Sequence, residues 1–288
     1  MKDYDYLKPK NLDEVFSLMK SYGKKAMFIA GGTDVMVGIR NRKFAPEALI
    51  SLRGLKDLAY IEKREDAYHI GALTTHRMLE TSSLVQRELS ALHDGASQVG
   101  SVQIRNVATV GGNICNAAPS ADTAGPLLAL DAEVVLNGPQ GERKVPLSEF
   151  FTGPSQTVRK WDEVLVEFQI PLQMEEFGSA YHKHSRRKAM DLPILGVAVS
   201  LKVRGETLED ARVALSVAAP TPIRALKTEE FLKGRTVDAA VLKEAGKIAA
   251  REASPRDSLR GKAWYRKEMI ETFVPRMAMK ALKRLKNR

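Results

Sequence analysis

Two segments of the sequence share a pattern in which an apolar run leads into a glycine pair and a small polar residue. They are residues 30–34 (AGGTD), after the apolar run 26–30 (AMFIA), and residues 109–113 (TVGGN), after the run 107–110 (VATV). Glycine adopts positive φ readily and has no Cβ to stand between the main chain and a ligand. Successive N–H groups in such a turn can converge on an anion. The pattern predicts two strand–turn segments that grip a diphosphate from two sides, with a pair of ordinary tight turns as the alternative.

Neither segment matches the common nucleotide-binding fingerprints. The sequence contains no G-x-G-x-x-G that opens a helix and no G-x-x-x-x-G-K-[ST] motif, so a Rossmann domain and a P-loop have no support. Its one cysteine, Cys115, excludes an internal disulfide framework and an iron–sulfur cluster ligated by cysteines of this chain alone. No basic residue is adjacent to Cys115 in the sequence, so we predict a small buried residue beside the second glycine pair rather than a nucleophile.

Length and composition are typical of a globular protein with more than one lobe. The 288 residues suggest two or three lobes, and a hydrophobic fraction of 44% can form a substantial core. No run approaches the roughly 18 apolar residues of a membrane span, and the polar, acidic N-terminus is unlike a signal peptide. We therefore expect a cytoplasmic protein without a membrane span.

The formal net charge of +10 makes nucleic-acid binding one hypothesis. The basic residues are scattered, however, and the aromatic residues, 6% of the chain, are not interleaved with them as a single-strand stacking platform requires. The pattern favours a solvated face or a docking surface for an acidic partner. We expect the basic C-terminal helix, together with Arg256, Arg260 and Arg266, to form that surface, and we predict no nucleic-acid partner.

The elements around the first glycine pair are predicted to form a compact βαβ-like lobe over residues 1–55. A helix begins at its cap Asn11 and ends at Gly23. An edge strand, a buried strand, a short helix and a last strand complete the lobe, at 4–7, 26–30, 35–39 and 48–52.

Residues 56–172 are predicted to form a second lobe that contains the second glycine pair. A hairpin around Glu65-Asp66 opens it, and a short helix capped by Thr74 or Thr75 follows. Two helices, a hairpin around an NGPQG turn and a closing strand come next, at 88–99, 123–130, 137–141 and 164–170.

The pattern changes after a polar, acidic linker at 173–178. Residues 178–288 are predicted to form a C-terminal lobe in which strands are followed by helices. The strands are at 180–183, 198–203 and 211–218, and amphipathic helices follow at 238–253 and 263–286. Strands followed by helices indicate an α+β fold class for the chain.

The glycine segments and their surroundings resemble the FAD-binding medium subunit of the molybdenum hydroxylases, the family of xanthine dehydrogenase and carbon monoxide dehydrogenase flavoproteins. The residues that carry the resemblance are 30–34, 70–72 (IGA), 100–106 (GSVQIRN), 109–113, 120–122 (SAD), 186–191 (RRKAMD), Arg260-Gly261 and Tyr265-Arg266. The match covers nearly the whole chain in order. It implies a PCMH-type FAD-binding domain made of the first two lobes, followed by a C-terminal domain like that of the carbon monoxide dehydrogenase flavoprotein.

The resemblance also implies which residues bind FAD. The main chain around both glycine pairs is expected to wrap the pyrophosphate, a polar pair to contact the flavin or ribitol, and two residues of the C-terminal lobe to reach over the isoalloxazine. These residues are Ile29, Ala30, Gly31, Gly32, Thr33, Asp34, Thr109, Val110, Gly111, Gly112 and Asn113 for the first role, Ser120 and Asp122 for the second, and Lys183 and Asp191 for the third.

Some of these assignments keep an alternative. Asn113 is equally typical of a left-handed turn residue, and Asp122 can instead cap the helix that follows it. His182 and His184 flank Lys183, so the register of the resemblance can slip by one residue there. Arg105 can clamp a phosphate, although an arginine that stitches two lobes is more usual. FAD is expected to be non-covalent, because loop 30–34 contains no histidine to anchor it.

The function that the resemblance implies is electron transfer within a multi-subunit molybdenum hydroxylase. A large partner subunit would carry molybdopterin, and a small partner subunit would carry the [2Fe-2S] clusters. This chain would receive electrons from those clusters and pass them to NAD or a quinone, within a dimer of heterotrimers. It would be an oxidoreductase subunit without activity on the hydroxylase substrate alone. A free-standing FAD-dependent oxidoreductase of similar fold is the alternative.

Overall fold

A computed structural model describes residues 3–172 and 177–286, and within them the chain folds into three sheets flanked by helices, plus a small hairpin. One parallel sheet and two antiparallel sheets, each in a different lobe, confirm the predicted α+β class. No helix in these two described ranges is both long and apolar enough to cross a membrane.

Lobe 1 is a three-stranded parallel sheet with helices. Its elements are β1 (Asp5–Leu7), α1 (Leu12–Tyr22), β2 (Ala26–Ile29), α2 (Val35–Arg40) and β3 (Ala48–Ser51), with strand order β1-β3-β2. The Asn11 side chain accepts a hydrogen bond from the Glu14 N–H at 2.9 Å and so begins α1 as predicted. Gly23, at φ +58°, ends this helix. Strand β2 then leads directly into the first glycine pair.

Lobe 2 is built on a five-stranded antiparallel sheet in the order β4-β5-β10-β6-β7. Its elements are β4 (Ile61–Lys63), β5 (Ala67–Gly71), α3 (His76–Thr81), α4 (Ser83–Glu88), α5 (Ser90–Ala96), α6 (Val102–Arg105), α7 (Val110–Cys115), α8 (Ala124–Ala129), β6 (Glu133–Gly138), β7 (Gly141–Pro146), α9 (Leu147–Phe150), β8 (Phe151–Gly153), β9 (Gln156–Thr157) and β10 (Val164–Pro171). One face of the sheet packs on the lobe's helices, and the other packs on α1 and β3 of lobe 1. The two lobes therefore share one apolar core.

The C-terminal lobe is a four-stranded antiparallel sheet in the order β11-β12-β13-β14, covered by helices. Its elements are β11 (Phe177–His184), β12 (Leu195–Arg204), β13 (Thr207–Ser216), β14 (Ile223–Arg224), α10 (Leu226–Leu232), α11 (Ala239–Glu252) and α12 (Ala263–Lys286). Helices α11 and α12 pack on one face of the sheet, and α8 of lobe 2 packs on the other. Most of the predicted linker, 173–176, lies outside the described residues, and Phe177 and Gly178 already belong to β11.

Two predictions about helices and charge were wrong. The helix predicted over 88–99 is interrupted at Leu89, where α4 has ended and α5 has not begun, and it ends at Ala96. Arg266 is not a docking residue, because only 1% of it is exposed. Its guanidinium donates to the Ile194 carbonyl at 2.9 Å and to the Ser258 hydroxyl at 2.7 Å, and burial lowers its pKa. Arg256 and Arg260 remain exposed.

Candidate functional site

The two glycine segments lie side by side at the junction of lobes 1 and 2. A Cβ placed on Gly31 would lie 2.1 Å from the Val107 carbonyl oxygen and 2.8 Å from the Ala108 Cα. Real Cβ atoms do not approach main-chain atoms this closely, so only glycine allows the contact. The loop at 30–34 is therefore seated directly on the main chain that leads into the second glycine pair.

The loop at 30–34 contains main-chain N–H groups that are not used in hydrogen bonds within the described residues. Gly32 adopts φ +77°, as the sequence pattern predicted for this pair. The Gly32 and Asp34 carbonyls accept from the Met36 and Gly38 N–H groups and so begin α2. Across the ranges that the structure describes, no protein atom accepts a hydrogen bond from the N–H groups of Gly32, Thr33 or Asp34. Three successive donors without a protein acceptor are available to a ligand, and donors in such a turn can converge on an anion.

The second glycine pair has a different geometry from the one predicted. Residues 107–110 are not a strand, because Thr109 caps helix α7 and both glycines lie in its first turn. The N–H groups of Val110 and Gly111 donate to the Thr74 and Ala72 carbonyls at 3.0 and 2.9 Å, and that of Gly112 donates to the Thr109 hydroxyl at 3.1 Å. The first N–H groups of a helix have no acceptor within the helix itself, and here other groups of the protein accept their hydrogen bonds.

The two glycines of this pair serve separate purposes. A Cβ on Gly111 would lie 2.7 Å from the Ala72 carbonyl oxygen, so Gly111 lets α7 pack tightly against the end of β5. Gly112 is exposed, and a Cβ there would meet only the Thr109 hydroxyl, at 3.0 Å. The expectation that both glycine pairs offer free N–H groups is therefore wrong for the second pair, whose contribution is an open surface at Gly112.

Three polar residues predicted after α7 have defined positions. The Asn113 amide oxygen accepts from the Thr123 hydroxyl at 2.7 Å, and because Asn113 lies inside α7 it is not a left-handed turn residue. Ser120 is half-buried in the loop before α8. Asp122 does not cap the following helix, since Thr123 is the cap residue and no side chain caps there. The side chain of Asp122 instead turns toward the C-terminal lobe.

Asp122 and Lys183 form a buried ion pair between lobe 2 and the C-terminal lobe. The Lys183 Nζ lies 2.7 Å from the Asp122 Oδ2, and the side chains are only 5% and 8% exposed. Lys183 also donates to the Gln98 carbonyl at 3.0 Å, and the Tyr181 hydroxyl donates to the Asp122 Oδ1 at 3.2 Å. Burial raises the pKa of Asp122 to about 6, while Lys183 and Tyr181 oppose this rise. The fold thus brings together two predicted site residues from distant parts of the chain.

Strand alternation separates Lys183 from the neighbouring histidines. Tyr181 and Lys183 share one face of β11, and His182 and His184 lie on the other. There the His182 ring lies 4.2 Å from the Phe273 ring, and the His184 Nε2 lies 2.9 Å from the Tyr265 hydroxyl. Lys183, and neither histidine, therefore faces Asp122, together with Tyr181.

Asp191 organises the loop that follows β11. Its Oδ2 accepts from the main-chain N–H groups of Arg186 and Arg187 at 3.1 and 3.2 Å. Both of these donors belong to the same loop as Asp191, and no hydrogen bond or ion pair joins Asp191 to Asp122 within the described residues. Asp191 therefore shapes a basic loop beside the end of β11.

Two residues of the candidate site were not predicted from the sequence, in which no motif marks them. One is Tyr181, which completes the hydrogen bonding of Asp122. The other is Arg159, whose guanidinium lies 5.6 Å from the centre of the Phe28 ring on β2. Burial raises the pKa of the Cys115 thiol on α7, and the nearby positive charge of Arg159 opposes this rise. Arg159 therefore places a cation between the two elements that carry the glycine pairs.

Arg105 connects α6 to α3 within lobe 2 and does not connect two lobes. Its guanidinium makes a bidentate ion pair with Glu80 at 2.9 and 3.2 Å and donates to the Val99 carbonyl at 3.1 Å. The side chain therefore holds α6 against α3, and its donors serve the protein.

The sequence matches two known families in succession. Residues 2–173 match the family described as the FAD binding domain in molybdopterin dehydrogenase, and residues 179–281 match the CO dehydrogenase flavoprotein C-terminal domain. This chain belongs to the FAD-binding subunits of the molybdenum hydroxylases. The family resemblance predicted from the sequence is thereby confirmed.

Individual relatives extend the match over almost the whole length. The xanthine dehydrogenase FAD-binding subunit of Escherichia coli O157:H7 is 36% identical over 260 residues, which are 90% of this chain and 89% of that protein. The carbon monoxide dehydrogenase medium chain of Hydrogenophaga pseudoflava is 32% identical over 273 residues, 95% of each chain.

Solved structures show the same fold. A chain of carbon monoxide dehydrogenase from Hydrogenophaga pseudoflava, in a form that lacks the Mo-pyranopterin moiety of the molybdenum cofactor, superposes with a TM-score of 0.94 at 32% identity and 98% coverage of both chains. A chain of quinoline 2-oxidoreductase from Pseudomonas putida 86 gives a TM-score of 0.91 at 26% identity, covering 98% of this chain and 99% of that one.

The protein is thus an oxidoreductase flavoprotein subunit with FAD as its cofactor. The residues present fit that cofactor. The free N–H groups of loop 30–34 suit a diphosphate, the open surface at Gly112 leaves room beside them, and Arg159 supplies a cation. The related carbon monoxide dehydrogenase is described as an enzyme whose molybdenum cofactor includes a Mo-pyranopterin moiety.

Proposed function

We propose that this chain is the subunit that receives electrons from [2Fe-2S] clusters of a small partner subunit and passes them to an external acceptor such as NAD or a quinone. The observation that carries the proposal is the nest of free N–H groups at 30–34, seated on the segment that leads into α7. A nest at a lobe junction binds a diphosphate without requiring the lobes to rearrange.

The diphosphate end of the site is assigned to lobe 1 and the start of α7. The main-chain donors of Gly32, Thr33 and Asp34 hold the phosphate oxygens, and the Thr33 hydroxyl adds a further donor. Gly112 leaves the surface of α7 free of a side chain where the ligand passes. Arg159 balances part of the negative charge, because a guanidinium stays charged. Its Nη1 donates to the Lys160 and Glu163 carbonyls at 3.0 and 2.7 Å, so its role is that of a nearby cation.

The flavin end is assigned to the boundary between lobe 2 and the C-terminal lobe. The Asp122 carboxylate is an acceptor for a ribitol hydroxyl or a ring N–H, and Ser120 lies two residues before it. The Lys183 ammonium provides positive potential where negative charge grows on reduction. When bound, FAD supplies the redox chemistry, while these residues bind it, orient it and set its electrostatic surroundings.

The partners are proposed to be a molybdopterin-binding large subunit and a [2Fe-2S] small subunit, assembled as a dimer of heterotrimers. Support comes from the relatives, which are a FAD-binding subunit of xanthine dehydrogenase and a medium chain of carbon monoxide dehydrogenase. The net charge of +10, with Arg256 and Arg260 exposed near the start of α12, suits an acidic neighbour. The substrate of the complex is then a property of the large subunit.

The purified single chain, freed of molybdenum and iron, tests this proposal. We expect its FAD absorbance to be bleached by a small artificial donor under anaerobic conditions, with no turnover of xanthine, carbon monoxide or an N-heterocycle. Addition of the co-expressed partner subunits should restore turnover of the substrate of the complex. Substrate oxidation by the metal-free single chain would instead favour a free-standing FAD-dependent oxidoreductase.

A further inference from the structure

Asp94 on helix α5 connects this helix to α12 and to β11, the strand that carries Lys183. Its carboxylate makes a bidentate ion pair with Arg284 on α12, at 2.7 and 2.8 Å, and a further pair with Lys280 at 3.0 Å. It also accepts the main-chain N–H of Tyr181 on β11 at 3.1 Å. Because the Asp94 side chain is only 12% exposed, these contacts are stronger than those of an ordinary surface ion pair.

These contacts occupy the outer edge of β11, where no other strand of the described residues pairs with it. The Tyr181 N–H would otherwise be an unpaired donor on a sheet edge. Asp94 satisfies it, the Ser179 hydroxyl accepts the Ala91 N–H at 3.1 Å, and Arg284 donates to the Ser179 carbonyl at 3.0 Å. Helices α5 and α12 therefore fix the position of β11 at residues 179–181 in place of a strand.

The same stretch of β11 carries both side chains that hold Asp122. Tyr181 and Lys183 project from one face and contact the two carboxylate oxygens of Asp122. Helix α5 also touches Asp122 directly, since a Cβ on Gly95 would lie 2.5 Å from the Asp122 carbonyl oxygen. A shift of β11 relative to α5 would thus move Lys183 and Tyr181 with respect to Asp122.

We propose that Asp94 is a positioning residue for the flavin site: with Arg284 and Lys280 it holds Lys183 beside Asp122, so that the last turns of α12 set the electrostatic surroundings of the flavin. The inference rests on the proposed place of Lys183 near the flavin. It gives a structural role to Lys280 and Arg284 on α12, which belong to the basic helix that we predicted from the sequence to form a docking surface. The pKa of Asp94 agrees with the geometry: burial favours a rise, yet Arg284 and Lys280 lower it.

The sign of the effect separates positioning from direct electrostatics. Removing the negative charge of Asp94 would raise the FAD reduction potential if that charge acted through space, because reduction adds negative charge. If Asp94 instead holds the Lys183 ammonium in place, the same substitution lowers the potential. A purely structural residue changes stability and leaves the potential unchanged.

The test uses the full chain with FAD bound, carrying Asp94→Asn, Lys183→Met or both. Glu244→Gln is the matched control, because Glu244 pairs with Arg251 on the surface of α11 and loses the same charge. Reduction potentials are measured by spectroelectrochemical titration, with thermal unfolding in parallel. We expect Asp94→Asn to lower the potential, Glu244→Gln to leave it unchanged, and the double variant to match Lys183→Met, because both changes act through one ammonium.

Three results would overturn the inference. They are a raised potential in Asp94→Asn, an unchanged potential despite a lower melting temperature, and shifts that add in the double variant. If Asp94→Asn does not fold, Arg284→Lys keeps the charge but loses the bidentate geometry, and we expect a smaller shift in the same direction. If Lys183→Met itself leaves the potential unchanged while FAD stays bound, the placement of Lys183 and this inference both fail, and the assignment as an FAD subunit stands.

Discussion

Gly31→Ala should weaken FAD binding because it forces the two glycine segments apart. The new Cβ would lie 2.1 Å from the Val107 carbonyl oxygen, whereas real Cβ contacts essentially never fall below 3.0 Å. Both partners are main chain, so no side chain can rotate away, and the loop must move by about 1 Å. Overpacking of this kind costs about 1–3 kcal/mol. If this free-energy cost destabilises the FAD-bound conformation of the loop, FAD affinity drops about tenfold or more.

Gly112→Ala is the informative companion to this variant. Gly112 is an exposed helical residue whose added Cβ would meet only the Thr109 hydroxyl, at 3.0 Å, so alanine should change the free energy of unfolding by no more than about 1 kcal/mol. Its Cβ would nevertheless enter the surface assigned to the ligand, and FAD affinity should fall. Gly246→Ala is the control, since its Cβ would meet the Glu271 carbonyl oxygen at 2.7 Å between α11 and α12, away from the glycine segments.

Fluorescence titration of the FAD-free protein gives the affinities, and urea unfolding of the same samples gives the stabilities. We expect Gly31→Ala to lose both affinity and stability, Gly112→Ala to lose affinity alone, and Gly246→Ala to lose stability alone. Wild-type FAD affinity in both Gly31→Ala and Gly112→Ala would refute the placement of the diphosphate at this junction.

Lys183→Met should destabilise the protein by about 3–5 kcal/mol, because it leaves the buried Asp122 carboxylate without its cation, and it should lower the FAD reduction potential. Lys202→Met, which breaks a more exposed pair between Lys202 on β12 and Glu209 on β13, should do neither. His76 has both ring nitrogens unpaired within the described residues, and burial lowers its pKa to about 4. A lowered histidine pKa means that stability is retained above the unfolded value near 6.5 and lost as the pH falls toward 4. Between pH 8 and pH 5 the free energy of unfolding of His76→Phe should therefore fall by about 2 kcal/mol less than that of the wild type. An equal fall in both proteins, measured by urea unfolding at the two pH values, would contradict this. Acid precipitation should release all FAD into the supernatant, and yellow colour in the pellet would disprove non-covalent binding. Association with the partner subunits should weaken as salt is raised, whereas a salt-independent affinity would argue against electrostatic docking.

Local signals in the sequence were sufficient for most of the elements. Asn11 and Gly23 mark the ends of α1, and the NGPQG turn marks the β6–β7 hairpin, because caps and turns depend on nearest neighbours. The segment 107–110 misled for the same reason. Its β-branched residues favour a strand, but Thr109 caps a helix. The Val110 and Gly111 N–H groups donate to the Thr74 and Ala72 carbonyls, which belong to a distant part of the chain that the local pattern does not reveal.

The site itself depends on contacts that no local pattern encodes. The family resemblance named Asp122 and Lys183, but it did not show that they form an ion pair across 61 residues of sequence or that Tyr181 joins them. The basic residues illustrate the same limit. Arg266 is buried against main-chain carbonyls and Arg284 is engaged by Asp94, whereas Arg260 is exposed, although all three look alike in the sequence.

The most direct test of the central claim is the flavin content of the purified chain. We measure the absorption spectrum of the chain expressed without partner subunits, and quantify released FAD against protein after denaturation. The account predicts flavin bands and one FAD per chain, with that content lost in a variant that carries both Gly31→Ala and Gly112→Ala. A purified, folded chain that shows no flavin bands and takes up no FAD on titration would contradict it.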